Sequence, residues 1–167
     1  MGVKEEITWA KRCYLEKGDK LLHDKSVVDL LTRFKKAALD SQRAMVIIGV
    51  VEECRSCEES EGGSCCGAGL ENQYKGILLL INLLLGIEIP GERLDPSSCL
   101  FLGRTGCRLI ARHVICLNYL CKKITDHIHP ESIKPLREKE GAELGILFLL
   151  NEQIKKTLQD SSDVHAE

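Results

Sequence analysis

The chain has 167 residues, 44% hydrophobic and 29% charged, which supplies apolar side chains for one compact core and too little length to divide comfortably into two. Lys and Arg number 23 against 25 Asp and Glu, a formal net charge of -2, so no positive surplus exists to neutralise a nucleic acid backbone or an anionic membrane surface. We therefore expect a single domain over 1–167, with neither nucleic acid nor membrane as its partner.

The opening residues, Met1-Gly2-Val3-Lys4-Glu5-Glu6-Ile7, carry acids where an export signal needs a basic segment followed by an apolar one, so a cytoplasmic protein is expected. Ile7, Ala10 and Tyr14 suggest a short helix ended by Gly18, with Cys13 on it as a structural thiol. From Ser26, the apolar positions Val27, Leu30, Leu31, Phe34, Ala37, Ala38, Met45 and Ile48 recur at steps of mostly three and four. This pattern predicts one long amphipathic helix that runs on through Val50 and Val51 to Cys54. Gly62-Gly63 ends any continuation.

A second helix is expected over about 70–85, with Glu71 near its start to suit the macrodipole and Gly86 to terminate it. It is apolar almost all round apart from Asn82, and shorter than the roughly 20 residues a membrane span requires. It must be enclosed by other helices or by a second subunit, so the pattern also allows a homo-oligomer. Loop signals follow at Ile89-Pro90-Gly91 and Asp95-Pro96-Ser97-Ser98, and Cys99 to Cys107 has the form of a short apolar strand and turn. Pro130-Glu131-Ser132 opens a last helix, in which Gly141 and Gly145 share a face that a neighbouring helix could approach closely. The tail from Asp160 is expected to fray. The fold class is mainly α: a helical bundle with irregular cysteine-rich metal-binding segments between 54 and 121.

Those segments carry the chemistry. Eight of the nine cysteines fall in the pattern Cys54-x2-Cys57-x7-Cys65-Cys66 and Cys99-x7-Cys107-x8-Cys116-x4-Cys121. Such density in a reducing compartment points to metal binding, whereas disulfides staple small folds that lack a core. Cys54 and Cys57 have a spacing at which two sulfurs converge on one ion or cluster. Cys65 and Cys66 lie between glycines, and adjacent side chains project differently, so they serve separate iron atoms or sites, or only one of them ligates. For one or two of the eight, a role as a small buried hydrophobe is expected instead.

The order of these residues resembles the YkgJ family of zinc- or iron-chelating cysteine-cluster domains. The matching positions are Cys54, Cys57, Cys65, Cys66, Cys99 with Phe101-Leu102, Gly106-Cys107, and Arg112 four residues before Cys116, with Cys121 beyond. His113 stands where that family carries Pro. The family's cysteine core is similar to that of flagellin lysine methylase, which is described as carrying an iron-sulfur cluster. A metal-dependent protein-modifying enzyme is therefore one alternative the resemblance implies, although no methyl-donor loop is evident in the chain.

Eight thiolates suffice for two four-thiolate zinc sites or for iron-sulfur clusters. The apolar flanks Leu100, Phe101, Leu102, Leu109, Ile110, Val114, Ile115 and Leu117 favour an iron-sulfur cluster, with electron transfer or redox sensing as the role and a protein redox partner implied. The alternative is a zinc-stabilised interaction module. His113, His127 and His129 are expected to be ordinary polar residues rather than ligands, and Arg104, Arg108 and Arg112 to form a solvated face.

Overall fold

A computed structural model describes residues 2–60 and 65–163, the side chains of 58–60 and 161–163 excepted. The glycine joint at 62–64, Glu61 and the end of the tail at 164–167 lie outside the described residues. In chain order the helices are α1 (Val3–His23), α2 (Lys25–Ile47), α3 (Val50–Ser60), α4 (Gly76–Leu84), α5 (Val114–Asn118), α6 (Lys122–His127) and α7 (Pro130–Asp163). A 3-10 turn over Leu70–Gln73 leads into α4. The antiparallel strands β1 (Leu102–Gly103) and β2 (Gly106–Cys107) pair Leu102 with Cys107 and Gly103 with Gly106. The fold is mainly α, as expected, and among the described residues no helix is long and apolar enough to cross a membrane.

Helix α2 packs most extensively on α7, and α1 packs on α4. The junction between α1 and α2 is fixed by Asp24, whose Oδ1 caps α2 by accepting from Ser26 N at 2.9 Å. Its other oxygen accepts from Thr157 Oγ1 at 2.7 Å, tying the far end of α7 to the same corner. These bonds hold the Asp24 carboxyl below the usual range.

Four elements depart from the sequence pattern. The helix expected over about 70–85 begins only at Gly76, because Tyr74 is extended after the 3-10 turn. Gly18 does not end α1 but lies inside it, packed against the Tyr14 ring. The helix predicted from Ser26 to Cys54 is divided at Ile48-Gly49, where Gly49 takes a φ of 88° and sends α3 off on its own axis. Cys54 and Cys57 therefore stand inside a separate helix. The stripe of Gly141 and Gly145 meets nothing, since a side chain built at either would find open space. Close approach occurs instead at Gly76, where an added Cβ would lie 2.2 Å from Trp9 Cε3 and where Glu6 Oε2 accepts the Gly76 N–H at 2.7 Å.

Helix α4 is enclosed from within the chain. Leu79, Leu80 and Ile81 are fully buried beside Ala10, Leu21, Val27, Phe34, Phe101 and Leu109, each large aliphatic contributing about 1.5–3 kcal/mol on burial. The helix ends as its glycine predicts: Gly86 has a φ of 78°, and Ile87 N bonds Asn82 O at 2.9 Å. A second, smaller cluster forms where Val50 of α3, Ile124 of α6 and Leu136 of α7 meet.

Asn82, the one polar side chain in the middle of α4, is fully buried and saturated. Its Nδ2 donates to Leu78 O and Ala111 O, each at 2.9 Å, while its Oδ1 accepts from Ile110 N at 2.9 Å and Ala111 N at 3.0 Å. This clamp fixes the segment between Cys107 and Cys116 to the core. Asn82→Leu keeps the volume and strands two buried N–H groups, so a loss of about 2–5 kcal/mol is expected in urea unfolding. A loss under about 1 kcal/mol would show that the segment is held by other means.

Candidate thiol-rich metal centre

The two cysteine stretches are brought to one region by three backbone junctions and one carboxylate. Cys99 N donates to Cys66 O at 2.7 Å, Ala68 N to Ser97 O at 2.8 Å, and Gly67 bridges Ser98. Buried Glu71 closes the junction: it accepts from Gly69 N at 3.0 Å and from Leu100 N at 3.5 Å, and it pairs with Arg93. Sequence reasoning gave Glu71 only a helix-dipole role. In the structure it is the polar knot between the loops.

From there the chain folds back through β1 and β2. Leu102 N donates to Cys99 O at 3.0 Å and Arg108 N to Phe101 O at 2.9 Å, which returns Cys107 toward Cys99. Arg108 lies across Gly103 and donates to Leu100 O at 3.0 Å and Glu92 O at 3.2 Å, leaving no room for a side chain at 103. Tyr74 supplies the roof. Its ring is buried edge-on to Phe101 with centroids 4.7 Å apart, and its hydroxyl lies 3.7 Å from Cys116 Sγ and also bonds the Cys107 thiol.

Every predicted ligand can now be placed. Cys66, Cys99, Cys107 and Cys116 lie within electrostatic range of one another: Cys66 feels the charge of Cys116, Cys107 and Cys99, and Cys99 that of Cys107 and Cys116. Cys54, Cys57, Cys65 and Cys121 are neighbours in the same sense, with a direct side-chain hydrogen bond between Cys65 and Cys121. Cys66 also feels Cys54, so the two groups adjoin. Cys13 stands apart on α1 and packs against the main core. No disulfide joins these cysteines.

Eight thiols in two neighbourhoods of four match a thiolate-bound metal in donor type and number. Among the described residues, however, no three His, Cys, Asp or Glu side chains stand close enough together to form a ready metal site. Binding would require the sulfurs to draw inward.

The histidines are occupied by the backbone or by a carboxylate. His113 caps α5 by accepting from Ile115 N at 3.3 Å, with burial lowering its pKa; His127 lies 3.0 Å from Glu53; and His129 accepts from Glu131 N at 3.2 Å. The expected solvated arginine face does not hold for Arg112. It is buried within 3.9 Å of Glu143, whose other oxygen accepts from Ser41 Oγ, and Arg112 Nη1 lies 3.8 Å from Met45 Sδ. The charge of Arg112 reaches Cys107 and Cys116 and offsets part of the rise that burial imposes on both thiols. Its partner Glu143 sits on α7, distant in sequence, so a single chain offers no pattern that could reveal the pair.

No known family model matches this chain, no curated protein matches it, and no solved structure matches its fold. What the structure itself defines is the class, a mainly helical protein.

Partial burial of the sulfurs dominates the thiol chemistry, even at Cys54, Cys65 and Cys107, which are exposed as residues. It pushes Cys54 up to about 11 and Cys66 to about 12 from 9.0, and raises Cys65, Cys99, Cys107 and Cys116 as well. A folded-state pKa above the unfolded value means the folded form holds its proton longer. The associated stability is complete below about pH 9 and is lost as pH rises toward 11 or 12. Reduced, chelator-treated protein should therefore show a melting temperature that falls steeply from pH 8.5 upward (roughly one pH unit either way). A variant with Cys54→Ser and Cys66→Ser should fall less steeply; equal slopes would disprove the assignment.

Proposed function

We propose that this protein holds an iron-sulfur cluster on its clustered cysteine thiolates and serves in electron transfer or redox sensing with a protein partner in the cytoplasm. One observation carries the reading. Stretches around 54–66 and 99–121 are tied together by the Cys66–Cys99 backbone bond and by Glu71, which brings their cysteines within electrostatic range of one another, although among the described residues no three yet stand close enough to hold an ion. The resemblance of the cysteine order to the YkgJ family supports the same reading.

Cys54, Cys57, Cys65, Cys66, Cys99, Cys107, Cys116 and Cys121 are the residues that would hold the metal. When bound, an iron-sulfur cluster supplies reversible one-electron chemistry. The rest of the site acts on the sulfurs. Tyr74 directs its hydroxyl at Cys107 and Cys116, and Arg112 brings a buried positive charge to the same pair; both favour thiolate over thiol and would raise the potential of a centre there. Phe101, Leu109 and Leu117, interleaved in sequence with these cysteines, are buried and give that segment an apolar footing. Because burial favours the protonated form of Cys54, Cys65, Cys66, Cys99, Cys107 and Cys116, loading must release protons, and metal uptake should strengthen as pH rises from 6 to 8 (about two units).

Protein produced and purified without air should be coloured and contain iron with acid-labile sulfide. Colourless protein with stoichiometric zinc and no sulfide would overturn the iron-sulfur reading in favour of a zinc-stabilised interaction module. Protein free of any metal would end both.

A further inference from the structure

We propose that the eight thiols form two separate centres of four: a sheltered one on Cys66, Cys99, Cys107 and Cys116, and an exposed, more labile one on Cys54, Cys57, Cys65 and Cys121. The inference rests on the metal-binding reading above and deepens it by assigning the ligands and their order of loss.

The sheltered set is framed by the main core. Cys66 and Cys99 are joined through their backbones at 2.7 Å, β1 and β2 turn Cys107 back to them, and the Tyr74 hydroxyl bridges Cys107 and Cys116. Cys99 is 5% exposed, Tyr74 is 1% exposed, and Asn82 clamps the chain midway between Cys107 and Cys116. Cys99 belongs to the core cluster and Cys66 and Cys116 pack against it, while Cys107 on β2 is exposed, so freeing three of the four sulfurs requires disrupting that core.

The exposed set has a different foundation. Cys54 and Cys57 lie three residues apart on α3 and so share a face of that helix, while Cys121 is the N-cap of α6. Helices α3 and α6 are joined by His127 and Glu53 at 3.0 Å and by the small cluster of Val50, Ile124 and Leu136, with Cys121 packed against it. Cys65 reaches this pair through its bond to Cys121, and both Cys54 and Cys65 are exposed. The dividing line falls between adjacent Cys65 and Cys66: Cys65 is exposed and bonded to Cys121, whereas Cys66 packs against the main core. Four sulfurs on each side is the number a closed thiolate centre takes.

A cluster of three buried residues opens locally far more readily than a core of some twenty. The centre framed by the small cluster should therefore exchange and be lost first.

The test uses the full chain prepared without air. Total bound metal is counted for the wild type, for Cys54→Ser with Cys121→Ser, and for Cys99→Ser with Cys116→Ser. Each double variant should retain about half the metal of the wild type. Loss of all metal in a folded double variant, or a wild-type count that one four-thiolate centre accounts for, overturns the division while leaving metal binding intact. A wild type without metal overturns the metal-binding reading itself. Since the core variant can fail to fold, removal by EDTA is also followed in the wild type. Two phases are expected, at least about tenfold apart in rate, with only the slow one in Cys54→Ser with Cys121→Ser. A single phase in the wild type sinks the proposal.

Discussion

A buried amide in an apolar helix governs this structure. Asn82 is surrounded by Leu79, Leu80, Ile81 and Leu84, in a place where an unpaired amide would cost several kcal/mol, roughly 2–7 in transfer terms. It is stable there because the segment around Ile110 and Ala111 has backbone groups that also need partners, and the two needs meet at 2.9 to 3.0 Å. The constraint runs both ways: the helix can be internal only if the loop is laid against it, and the loop has one position in which the amide is satisfied. Glu71 repeats the logic at the other junction, where a fully buried carboxylate gathers the N–H groups of Gly69 and Leu100. Irregular chain thereby acquires the fixity of a strand without a sheet.

This arrangement places soft sulfur against hard packing. Thiols removed from water resist ionisation, so the protein without metal keeps them neutral, whereas a metal would draw them together as thiolates. Arg112 belongs to the same balance. Its charge is buried against Glu143 and reaches Cys107 and Cys116, linking the long helix α7 to the sulfur-bearing loop.

Much of the helical frame was legible in the sequence because it depends on local rules. The apolar period of α2 and α7 and the glycine at the end of α4 are properties of short windows, and they were read correctly. What was missed depends on partners far away in the chain. Asn82 looked like an interruption of an apolar run, Glu71 like a dipole residue, Arg112 like a solvated cation, and Gly141 with Gly145 like a packing groove. Each misreading arose because the other half of the interaction lies outside any local window: Ala111 for Asn82, Leu100 for Glu71, Glu143 for Arg112, and open space for the glycine pair. The eight cysteines are legible as a set, and so is a separation of Cys65 from Cys66, but which others stand with each is not, because those partners lie far away in the chain.

Gly49 and Gly76 are irreplaceable for opposite reasons. At 76 the obstacle is a neighbour, the Trp9 ring, and a smaller residue at position 9 would lift it. At 49 nothing stands within 4 Å, yet the backbone holds a handedness that L-residues resist, so a survey of contacts alone would score the position as silent. Chirality rather than volume is the currency there: a D-alanine introduced by chemical synthesis would sit at 49 without strain, and the bend that aims the first two thiols would survive.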